Sequence, residues 1–292
     1  MTDTTSGAPV NRSAAGLVVV KVGGRVQSDP ALPPALAEAW TSRRAAGGAL
    51  VVVHGGGDEV TALQHALGAV ATFVGGRRVT SPRDIDTLRM ALSGAANKRL
   101  VASLVALGAP AVGLSGEDAA LLAARRNAPA LGEVGAPAAV NVALVRHLLG
   151  GGYLPVLSPL ARDADAGTAP GALNVNGDDA AAAIAAALGA DELLLVADVA
   201  GVRGADGETI AALDPAAARD AIATGVAAGG MAAKLEAALA ACDAGVHRVR
   251  VGDLRMIADP ARGTAVIGGA GQQQHPHHPQ HPFAKRDVPL AV

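Results

Sequence analysis

The feature that most constrains the fold of this chain is the alternation of short apolar runs with longer stretches rich in alanine and leucine. Short runs rich in valine and leucine predict strands that are buried on both faces. The predicted strands are Leu17–Val22, Leu50–His54, Ala111–Leu114, Leu154–Leu157, Leu193–Ala197 and Arg248–Val251. The predicted helices are Pro33–Ala46, Asp58–Leu67, Pro82–Leu92, Asn97–Leu107, Asp179–Leu188 and Met231–Ala241. This alternation predicts an α/β fold, a three-layer sandwich with a central, mostly parallel sheet that binds its ligands at the carboxyl ends of the strands.

The composition excludes several classes of protein. Half of the 292 residues are hydrophobic but only 1% are aromatic, so the core must consist mainly of alanine, valine and leucine. The formal net charge of -2 provides no basic field for nucleic acid. The first apolar run stops at Gly23 and is too short to span a bilayer, and the polar start lacks the apolar stretch of a signal peptide. With a single cysteine, Cys242, no disulfide can form within the chain, and we predict a cytoplasmic protein that binds neither nucleic acid nor membranes.

Changes in composition divide the chain into four predicted parts. Asp, Ala, Gly and Pro replace the apolar pattern around 162–171, which predicts a boundary between two lobes. After Gly271 the sequence is low in complexity and rich in Gln, His and Pro, which is typical of a disordered segment. The predicted parts are a disordered N-terminus at 1–16, lobes at 17–170 and 171–270, and a disordered tail at 271–292.

Lysine is rare in this chain, and its positions point to phosphate binding. The 24 lysines and arginines include four lysines, namely Lys21, Lys98, Lys234 and Lys285. Lys21 precedes Gly23-Gly24, and Lys234 follows Gly229-Gly230. An ammonium suits a single phosphate oxygen, whereas a guanidinium prefers a fork of two. Each lysine alone is also compatible with an ordinary surface charge, and the repeated pairing with glycines favours the phosphate interpretation.

A glycine triplet, Gly55-Gly56-Gly57, lies between a predicted strand and a predicted helix. Glycines at such a junction let backbone N–H groups approach an anion closely, and the helix N-terminus adds a favourable dipole. The chain has no Gly-Lys dipeptide, so it has no Walker A loop, and no predicted strand is followed by G-x-G-x-x-G. His54 and the triplet also match an esterase oxyanion-hole motif, but no serine has the flanking glycines of a nucleophile elbow. Phosphate binding by separated loops is therefore our interpretation.

The segment Asn174-Val175-Asn176-Gly177-Asp178-Asp179 precedes an alanine-rich helix. In an extended segment two residues with one between them point the same way, so Asn174 and Asn176 are candidates to hold a carboxylate or an amide. Asp178 is a candidate to bind between two lysines. Helix capping and a first-turn acid account for one of the two aspartates, but not for both asparagines.

Seven motifs of this chain occur in the order of the amino-acid kinase family. They are Lys21-Val22-Gly23-Gly24, His54-Gly55-Gly56-Gly57, Gly76-Arg77-Arg78-Val79-Thr80, Val112-Gly113-Leu114-Ser115-Gly116, Asn174 to Asp178, Asp198-Val199-Ala200-Gly201-Val202 and Gly229-Gly230-Met231-Ala232-Ala233-Lys234. From about Val18 to Val266 the chain resembles this family, most closely its members that act on N-acetyl-L-glutamate. The resemblance implies the amino-acid kinase fold, with 17–170 binding the amino-acid substrate and 171–270 binding MgATP. It implies that ATP and Mg²⁺ are used to phosphorylate the side-chain carboxylate of N-acetyl-L-glutamate, in arginine biosynthesis.

Matching the motifs residue by residue implies individual roles. Lys21 and Lys234 would neutralise the phosphoryl group in the transition state, and Asp178 would orient both. The implied substrate-binding residues are Gly56, Gly57, Arg78, Asn174 and Asn176. The implied nucleotide-binding residues are Gly23, Gly24, Asp198, Val199, Gly201, Val226, Gly229 and Gly230, and no protein residue is assigned to a metal. A carboxylate is already deprotonated at pH 7, so this chemistry needs fixed cations and amides rather than a general base.

Two departures from the family pattern and two alternative functions remain open at this stage. Arg77 stands where the family has an apolar residue, so the assignment within the Arg77-Arg78 doublet is ambiguous, and Ala119 replaces a usual glycine.

One alternative is a kinase of aminoadipate or glutamate blocked by a small carrier protein, which would need basic surface near the pocket. Candidates for that surface are Arg77, Arg78, Arg83, Arg125 and Arg126. The other alternative is a non-catalytic ligand sensor, which would need neither both lysines nor the aspartate.

The segment before Leu17 also bears on assembly. In this family, inhibition by arginine goes with an extra N-terminal helix that interlaces dimers into a hexamer. The segment offers only Met1 and Val10 as larger apolar residues, with Gly7 and Pro9 between them, so it cannot form an apolar stripe. We therefore expect a homodimer, built on the substrate lobe, that responds little to arginine.

Overall fold

The computed structural model describes residues 16–74, 77–204 and 206–268. Within these residues there are fourteen strands and eight α-helices. The strands are β1 Leu17–Val22, β2 Ala49–His54, β3 Phe73–Val74, β4 Arg77–Arg78, β5 Ala111–Ser115, β6 Leu122–Arg126, β7 Val134–Val140, β8 Leu154–Ser158, β9 Leu160–Asp163, β10 Ala172–Val175, β11 Glu192–Val196, β12 Ala212–Leu213, β13 Arg248–Gly252 and β14 Thr264–Ile267. The helices are α1 Leu32–Ala45, α2 Gly57–Ala66, α3 Pro82–Leu88, α4 Asn97–Ala106, α5 Ala143–Gly150, α6 Gly177–Leu188, α7 Pro215–Ala223 and α8 Gly230–Asp243.

Eight of the strands form one central sheet in the order β12-β14-β13-β11-β1-β2-β8-β5. All neighbouring pairs are parallel except β13 and β14. All six predicted strands belong to this sheet, and all six predicted helices are present with ends shifted by a few residues. The predicted α/β fold with a mostly parallel sheet is confirmed. No helix within the described residues is long and apolar enough to cross a membrane.

The central strands are mostly apolar because both of their faces are buried. Val19 belongs to a core that includes residues of α6 and α8, whereas Val18, Val20 and Val22 belong to a second core that includes residues of α1 and α4. Successive side chains of a strand point to opposite faces, so each strand of a three-layer fold must supply apolar residues to both cores. The same alternation places Lys21 on the Val19 side of the sheet, facing α6 and α8.

A second group of short strands was not predicted. Strands β10, β7, β6 and β9 close into a small barrel, and β3 pairs with β4 as a hairpin. These strands are short and carry alanine, glycine, proline and arginine, so the local sequence has no β-branched run to indicate them. The predicted lobe boundary at 170/171 lies between β9 and β10, which pair across it, and the division into lobes stays a prediction.

The two predicted helices at Pro82–Leu92 and Asn97–Leu107 are joined in the structure. A π-helical segment, Arg89–Ala96, connects α3 directly to α4, whereas the prediction left residues 93–96 between two separate helices. Helices α5 and α7 were not predicted. The predicted disordered ends at 1–16 and 271–292 lie outside the described residues, apart from Gly16.

Candidate active site

The candidate site lies where the carboxyl ends of β1, β2 and β11 meet the N-termini of α6 and α8. Val22, the last residue of β1, pairs with His54 of β2 on one side and with Val196 of β11 on the other. The glycines that follow these strands are held side by side, because the Gly23 N–H donates to the Val196 carbonyl at 3.2 Å and the Gly55 N–H donates to the Val22 carbonyl at 2.9 Å. Motifs that are far apart in sequence therefore form one edge, as expected for a parallel sheet.

The centre of the site is a carboxylate between two ammonium groups. Lys21 Nζ lies 2.8 Å from Asp178 Oδ1, and Lys234 Nζ lies 3.0 Å from Asp178 Oδ2. The side chains of Lys21, Asp178 and Lys234 are only 8%, 8% and 14% exposed. Each comes from a different element, β1, α6 and α8 respectively. The structure therefore brings together the three residues predicted to be catalytic.

Helix capping explains why Asp178 is held so firmly. Asn176 Oδ1 accepts a hydrogen bond from the Asp178 N–H at 2.8 Å and a longer one from the Asp179 N–H at 3.4 Å, so Asn176 is the N-cap of α6. Asp178 thus lies in the first helical turn, where the positive end of the helix dipole favours a carboxylate. Burial by itself would raise the pKa of Asp178, but the adjacent Lys21 and Lys234 ammonium groups outweigh it and hold the pKa below its usual range.

The charge balance prepares the site for an anion. Burial lowers the pKa of the Lys21 ammonium from its ordinary value; Asp178 opposes this effect, and the neighbouring Lys234 adds to it. Two ammonium groups share one carboxylate, so the cluster carries one excess positive charge when all three are ionised. A phosphoryl group bound here would supply the missing negative charge without a further proton transfer.

The glycines beside this cluster leave room for the ammonium groups. A Cβ atom built on Gly23 would lie 3.0 Å from Lys21 Nζ, 3.2 Å from the Val196 carbonyl oxygen and 3.7 Å from Lys234 Nζ. A Cβ on Gly177 would lie 3.1 Å from Lys21 Cε. A side chain at either position would therefore crowd Lys21, which explains why glycine accompanies it.

A pocket of about 180 Å³ opens beside the lysine–aspartate cluster. Its lining includes the predicted substrate-binding residues Gly56, Gly57, Arg78, Asn174 and Asn176. Apolar walls come from Val60, Phe73, Leu88, Leu92, Val134 and Val175. A small pocket with apolar walls and a few convergent polar groups is typical of a site for a small molecule.

The structure separates the two arginines of the doublet. Arg78 is buried, and its guanidinium donates to Gln64 Oε1 at 2.5 Å, to Thr61 Oγ1 at 2.7 Å and to the Gly57 carbonyl at 2.8 Å. The same guanidinium lies 4.8 Å from the centre of the Phe73 ring. Arg77 instead pairs with Asp179 at 3.1 Å and is about one-third exposed. Arg78 is thus the arginine that is held rigidly against the pocket.

Replacing Arg78 with alanine is expected to raise KM for the amino-acid substrate by roughly 10- to 100-fold while KM for ATP changes little. A charge-assisted hydrogen bond to a carboxylate contributes about 1.5–3 kcal/mol. Steady-state kinetics with each substrate varied in turn would measure the effect, with Arg77→Ala as the matched control. If Arg77→Ala shows this pattern and Arg78→Ala does not, the assignment within the doublet is wrong.

The two asparagines are placed differently. Asn174 Nδ2 donates to Thr80 Oγ1 at 3.0 Å from the wall of the pocket. The side-chain oxygen of Asn176 is engaged in capping α6, so any contact with substrate would have to come from its amide nitrogen. Substrate binding by both residues stays a prediction.

The residues predicted to bind the nucleotide lie in two loops near the same edge. Asp198, Val199 and Gly201 follow β11, and Val226 and Gly229 precede α8, which begins at Gly230. Asp198 forms an exposed ion pair with Arg25 at 3.1 Å, and Val226 is half exposed. Gly201 has φ 158°, and a Cβ there would lie 2.6 Å from Thr264 Oγ1, so packing alone requires this glycine. Nucleotide binding by these residues, and by Gly23 and Gly24, stays a prediction.

Sequence reasoning missed the residues that hold Arg78. Thr61 and Gln64 lie on one face of α2, four and seven residues after Gly57, and Gln64 Nε2 also donates to Asp84 Oδ1 at 2.7 Å. The spacing 57, 61 and 64 is the available signal, since residues so spaced share one helical face. Their partner lies on the β3–β4 hairpin, which the sequence did not indicate.

The protein side chains suit a phosphate-bound Mg²⁺ ion better than an ion held by protein alone. In the described part of the chain no group of three His, Cys, Asp or Glu side chains is arranged to hold a metal ion. Asp178 is already shared by two ammonium groups. Mg²⁺ commonly keeps several waters and binds substrate phosphates with few protein ligands, which is compatible with this site.

The fold and the site together define a phosphotransferase class: a parallel α/β sandwich with fixed ammonium and amide groups beside a pocket for a small anion. The sequence model of the amino acid kinase family matches residues 16–253. The chain belongs to the amino acid kinase family, and the predicted resemblance is confirmed.

Individual relatives are more specific. The chain is 44% identical over 247 residues to an acetylglutamate kinase of Cereibacter sphaeroides, covering 84% of this chain and 83% of that protein. It is 45% identical over 230 residues to an acetylglutamate kinase of Rubrobacter xylanophilus, covering 78% of this chain and 86% of that protein. Among solved structures, smu.665 from Streptococcus mutans superposes with a TM-score of 0.75 at 27% identity, covering 86% of this chain and 98% of that chain.

Proposed function

We propose that this chain transfers the terminal phosphoryl group of ATP to the side-chain carboxylate of N-acetyl-L-glutamate, as an enzyme of arginine biosynthesis in the cytoplasm. The observation that carries the proposal is the Lys21–Asp178–Lys234 cluster beside the Arg78 pocket, whose lining includes Gly177. Identities of 44% and 45% to acetylglutamate kinases over most of the chain support the same substrate.

The chemistry requires charge neutralisation more than proton transfer. The attacking carboxylate is deprotonated at pH 7, so the main obstacle is repulsion between two anions. Lys21 and Lys234 would stabilise the negative charge on the transferring phosphoryl group, and Asp178 would keep both ammonium groups in place. Mg²⁺ bound to the phosphates would neutralise further charge. Arg78 and the Gly56 and Gly57 amides would hold the substrate in line with that group.

The geometry of the lysine–aspartate cluster also explains why each cation is a compact ammonium group rather than a guanidinium. Each ammonium reaches Asp178 from a separate element, and the compact Lys21 side chain fits closely beside Gly23 and Gly177, where an added Cβ would approach it to 3.0 Å and 3.1 Å. Cations fixed before the reaction need no reorganisation as charge develops in the transition state. This arrangement supports catalysis rather than binding alone, and it argues against a ligand sensor.

The carrier-protein alternative loses support because most of the arginines proposed for it are paired with other groups. Arg126 contacts Asp163 at 2.6 Å and Glu133 at 2.5 Å, and Arg125 contacts Asp165 at 3.4 Å. Arg77 pairs with Asp179, and Arg78 is buried. Basic side chains whose charge is already offset make a poor docking surface for an acidic carrier.

The proposed activity is tested by incubating the purified chain with MgATP and N-acetyl-L-glutamate and measuring ADP release. The acyl phosphate product is trapped as its hydroxamate with hydroxylamine. We expect equal amounts of ADP and hydroxamate, and no hydroxamate when N-acetyl-L-glutamate is omitted. ADP release without hydroxamate, or activity only with a carrier-bound substrate, would contradict the proposal.

We further propose that the protein is a homodimer that joins at the β5 edge of the sheet. Strand β5 ends the eight-stranded order, and Val105 and Leu107, at the end of the helix α4 that precedes it, are 52% and 50% exposed. An open strand edge flanked by apolar side chains is favourably covered by a second copy.

Light scattering is expected to show a particle of twice the 28.6 kDa chain mass, and millimolar arginine is expected to leave activity unchanged. The prediction of arginine insensitivity depends on the lack of an apolar stripe in residues 1–16, which lie almost wholly outside the described residues. Val105→Asp should yield monomers, because a charge would be buried without a partner. A hexamer, or inhibition by arginine, would contradict this prediction without affecting the catalytic assignment.

A further inference from the structure

His54 is buried at the candidate site, and the mechanism above gives it no role. It is the last residue of β2 and is 0% exposed. Val51 and Val53 belong to the core on the Lys21 side of the sheet, whereas Val52 belongs to the opposite core. Alternation along the strand therefore places the imidazole on the side opposite Lys21 and Lys234, where it contacts α4.

The hydrogen bonds of the imidazole define its protonation. His54 Nδ1 lies 2.7 Å from the carbonyl oxygen of Gly55, and His54 Nε2 lies 3.0 Å from Asn97 Nδ2. A carbonyl can only accept a hydrogen bond, so Nδ1 must carry the proton. The Asn97 amide also donates to the Val156 carbonyl at 2.9 Å, which orients its NH₂ group toward the ring. His54 is therefore the tautomer with the proton on Nδ1.

The same surroundings keep the ring neutral. Burial lowers the pKa of His54 to about 4; the bond to the Gly55 carbonyl opposes this effect, and the nearby Lys98 ammonium adds to it. The amide of Gln27 also lies near, with its nitrogen placed 3.3 Å from Nδ1 and its oxygen left without a partner. Turning this amide so that its oxygen faces the ring lets that oxygen accept from Nδ1–H, as the Gly55 carbonyl does. A neutral ring with one donor and one acceptor then matches its neighbours and does not act in acid–base chemistry near pH 7.

The hydrogen bond from His54 orients a peptide group in the glycine triplet Gly55-Gly56-Gly57. In a trans peptide the carbonyl and the N–H point in opposite directions. Since the Gly55 carbonyl points to the imidazole, the N–H of Gly56 points away from it, toward the pocket that Gly55, Gly56 and Gly57 line. Gly56 has φ 140°, and a Cβ there would lie 2.7 Å from Leu92 Cδ2, so no larger residue can hold this peptide in place.

We propose that His54 is a positioning residue whose Nδ1–H holds the Gly55–Gly56 peptide so that the Gly56 N–H donates to the anion at the active site. Without that bond, two consecutive glycines leave the peptide free to rotate and present its carbonyl to the anion instead. A carbonyl dipole facing a bound carboxylate or phosphoryl group would repel it. The inference rests on the proposed kinase function and adds a role that the chemistry alone does not require.

The tautomer can be measured without any activity assay. In a long-range ¹H–¹⁵N spectrum of the full chain at pH 7, the ring of His54 should show a protonated Nδ1 and a bare Nε2. The resonance is assigned by its loss in His54→Asn. A ring protonated on Nε2 alone would overturn the proposal, since Nδ1 would then have no proton to donate to Gly55.

Kinetic measurements distinguish a positioning role of His54 from a role in packing alone. His54→Leu is expected to lower kcat by about 30- to 1,000-fold, the range expected when one preorganised amide donor is lost, with less than a threefold change in KM for ATP. The kcat of His54→Asn is expected to be at least tenfold higher than that of His54→Leu, because the asparagine side-chain NH₂ can again donate to the Gly55 carbonyl. His65→Leu, at an exposed position on α2, is the matched histidine control and should keep wild-type kcat.

The outcomes distinguish this inference from the proposed function. Inactive wild-type protein would contradict the proposed function, while the tautomer would still test the Gly55 contact. Active wild-type protein with an undiminished kcat in His54→Leu would overturn the positioning role. If His54→Leu fails to fold, the proposal is tested by the kcat of His54→Asn and by the tautomer spectrum of the wild type. A ring protonated on Nε2 would then show that the proposal is wrong.

Discussion

Replacing Lys21 with alanine is expected to lower kcat by about 10³-fold while leaving the affinity for ATP within a few-fold of wild type. A preorganised cation that acts on charge developed in the transition state contributes mainly to kcat. Lys21 Nζ is 2.8 Å from Asp178, and Lys234 still pairs with that carboxylate when Lys21 is absent, so the fold should survive. Steady-state kinetics and nucleotide binding by calorimetry would measure the two effects separately.

Two further variants make the Lys21 experiment sharper. Lys21→Arg keeps the charge, but a planar guanidinium cannot reproduce the point charge of an ammonium at this position, so we expect little recovery. Arg219→Ala removes an exposed cation that pairs with Asp243 away from the site and should leave kcat unchanged. A Lys21→Ala variant with normal turnover would remove Lys21 from the mechanism.

Replacing Asp178 with asparagine is expected to lower kcat by about 10²- to 10³-fold and to shift the alkaline limit of activity to lower pH. Asp178 opposes the effect of burial on the pKa of Lys21, so without its charge the Lys21 pKa should fall further. Lys21 would then lose its proton, and its function, at a lower pH than in the wild type. The pH dependence of kcat in both proteins would measure the shift.

The same substitution should also destabilise the fold, because it leaves two buried ammonium groups without a counter-charge. Breaking a buried ion pair by removing one partner costs about 3–5 kcal/mol. Asp179→Asn is the matched control: its carboxylate pairs with Arg77 at a partly exposed position, so activity should stay within about threefold of wild type. An Asp178→Asn variant with an unchanged pH profile and unchanged thermal stability would show that Asp178 does not orient the lysines.

The central sheet and the edge at which the site forms could be predicted from local sequence patterns. Runs such as Leu17–Val22 are apolar at every position except Lys21 because both faces of the strand are covered, and such a requirement is visible locally. Glycines after β1 and at the start of α8, next to rare lysines, and the glycine triplet after β2 likewise follow from what an anion needs at a strand end or a helix N-terminus. The order of these motifs along the chain was sufficient to indicate the family.

The contacts between side chains of different elements could not be predicted from local sequence. The Lys234–Asp178 contact joins residues 56 positions apart, and the Arg77–Asp179 contact joins residues 102 positions apart, distances over which a local pattern carries no information. Arg78, rather than Arg77, is the buried arginine of the β3–β4 hairpin. The side-chain oxygen of Asn176 is engaged in capping α6. The neutral state of His54 likewise depends on burial against α4. Local sequence specifies which elements can form; the contacts between elements decide which charges are buried, paired and available for chemistry.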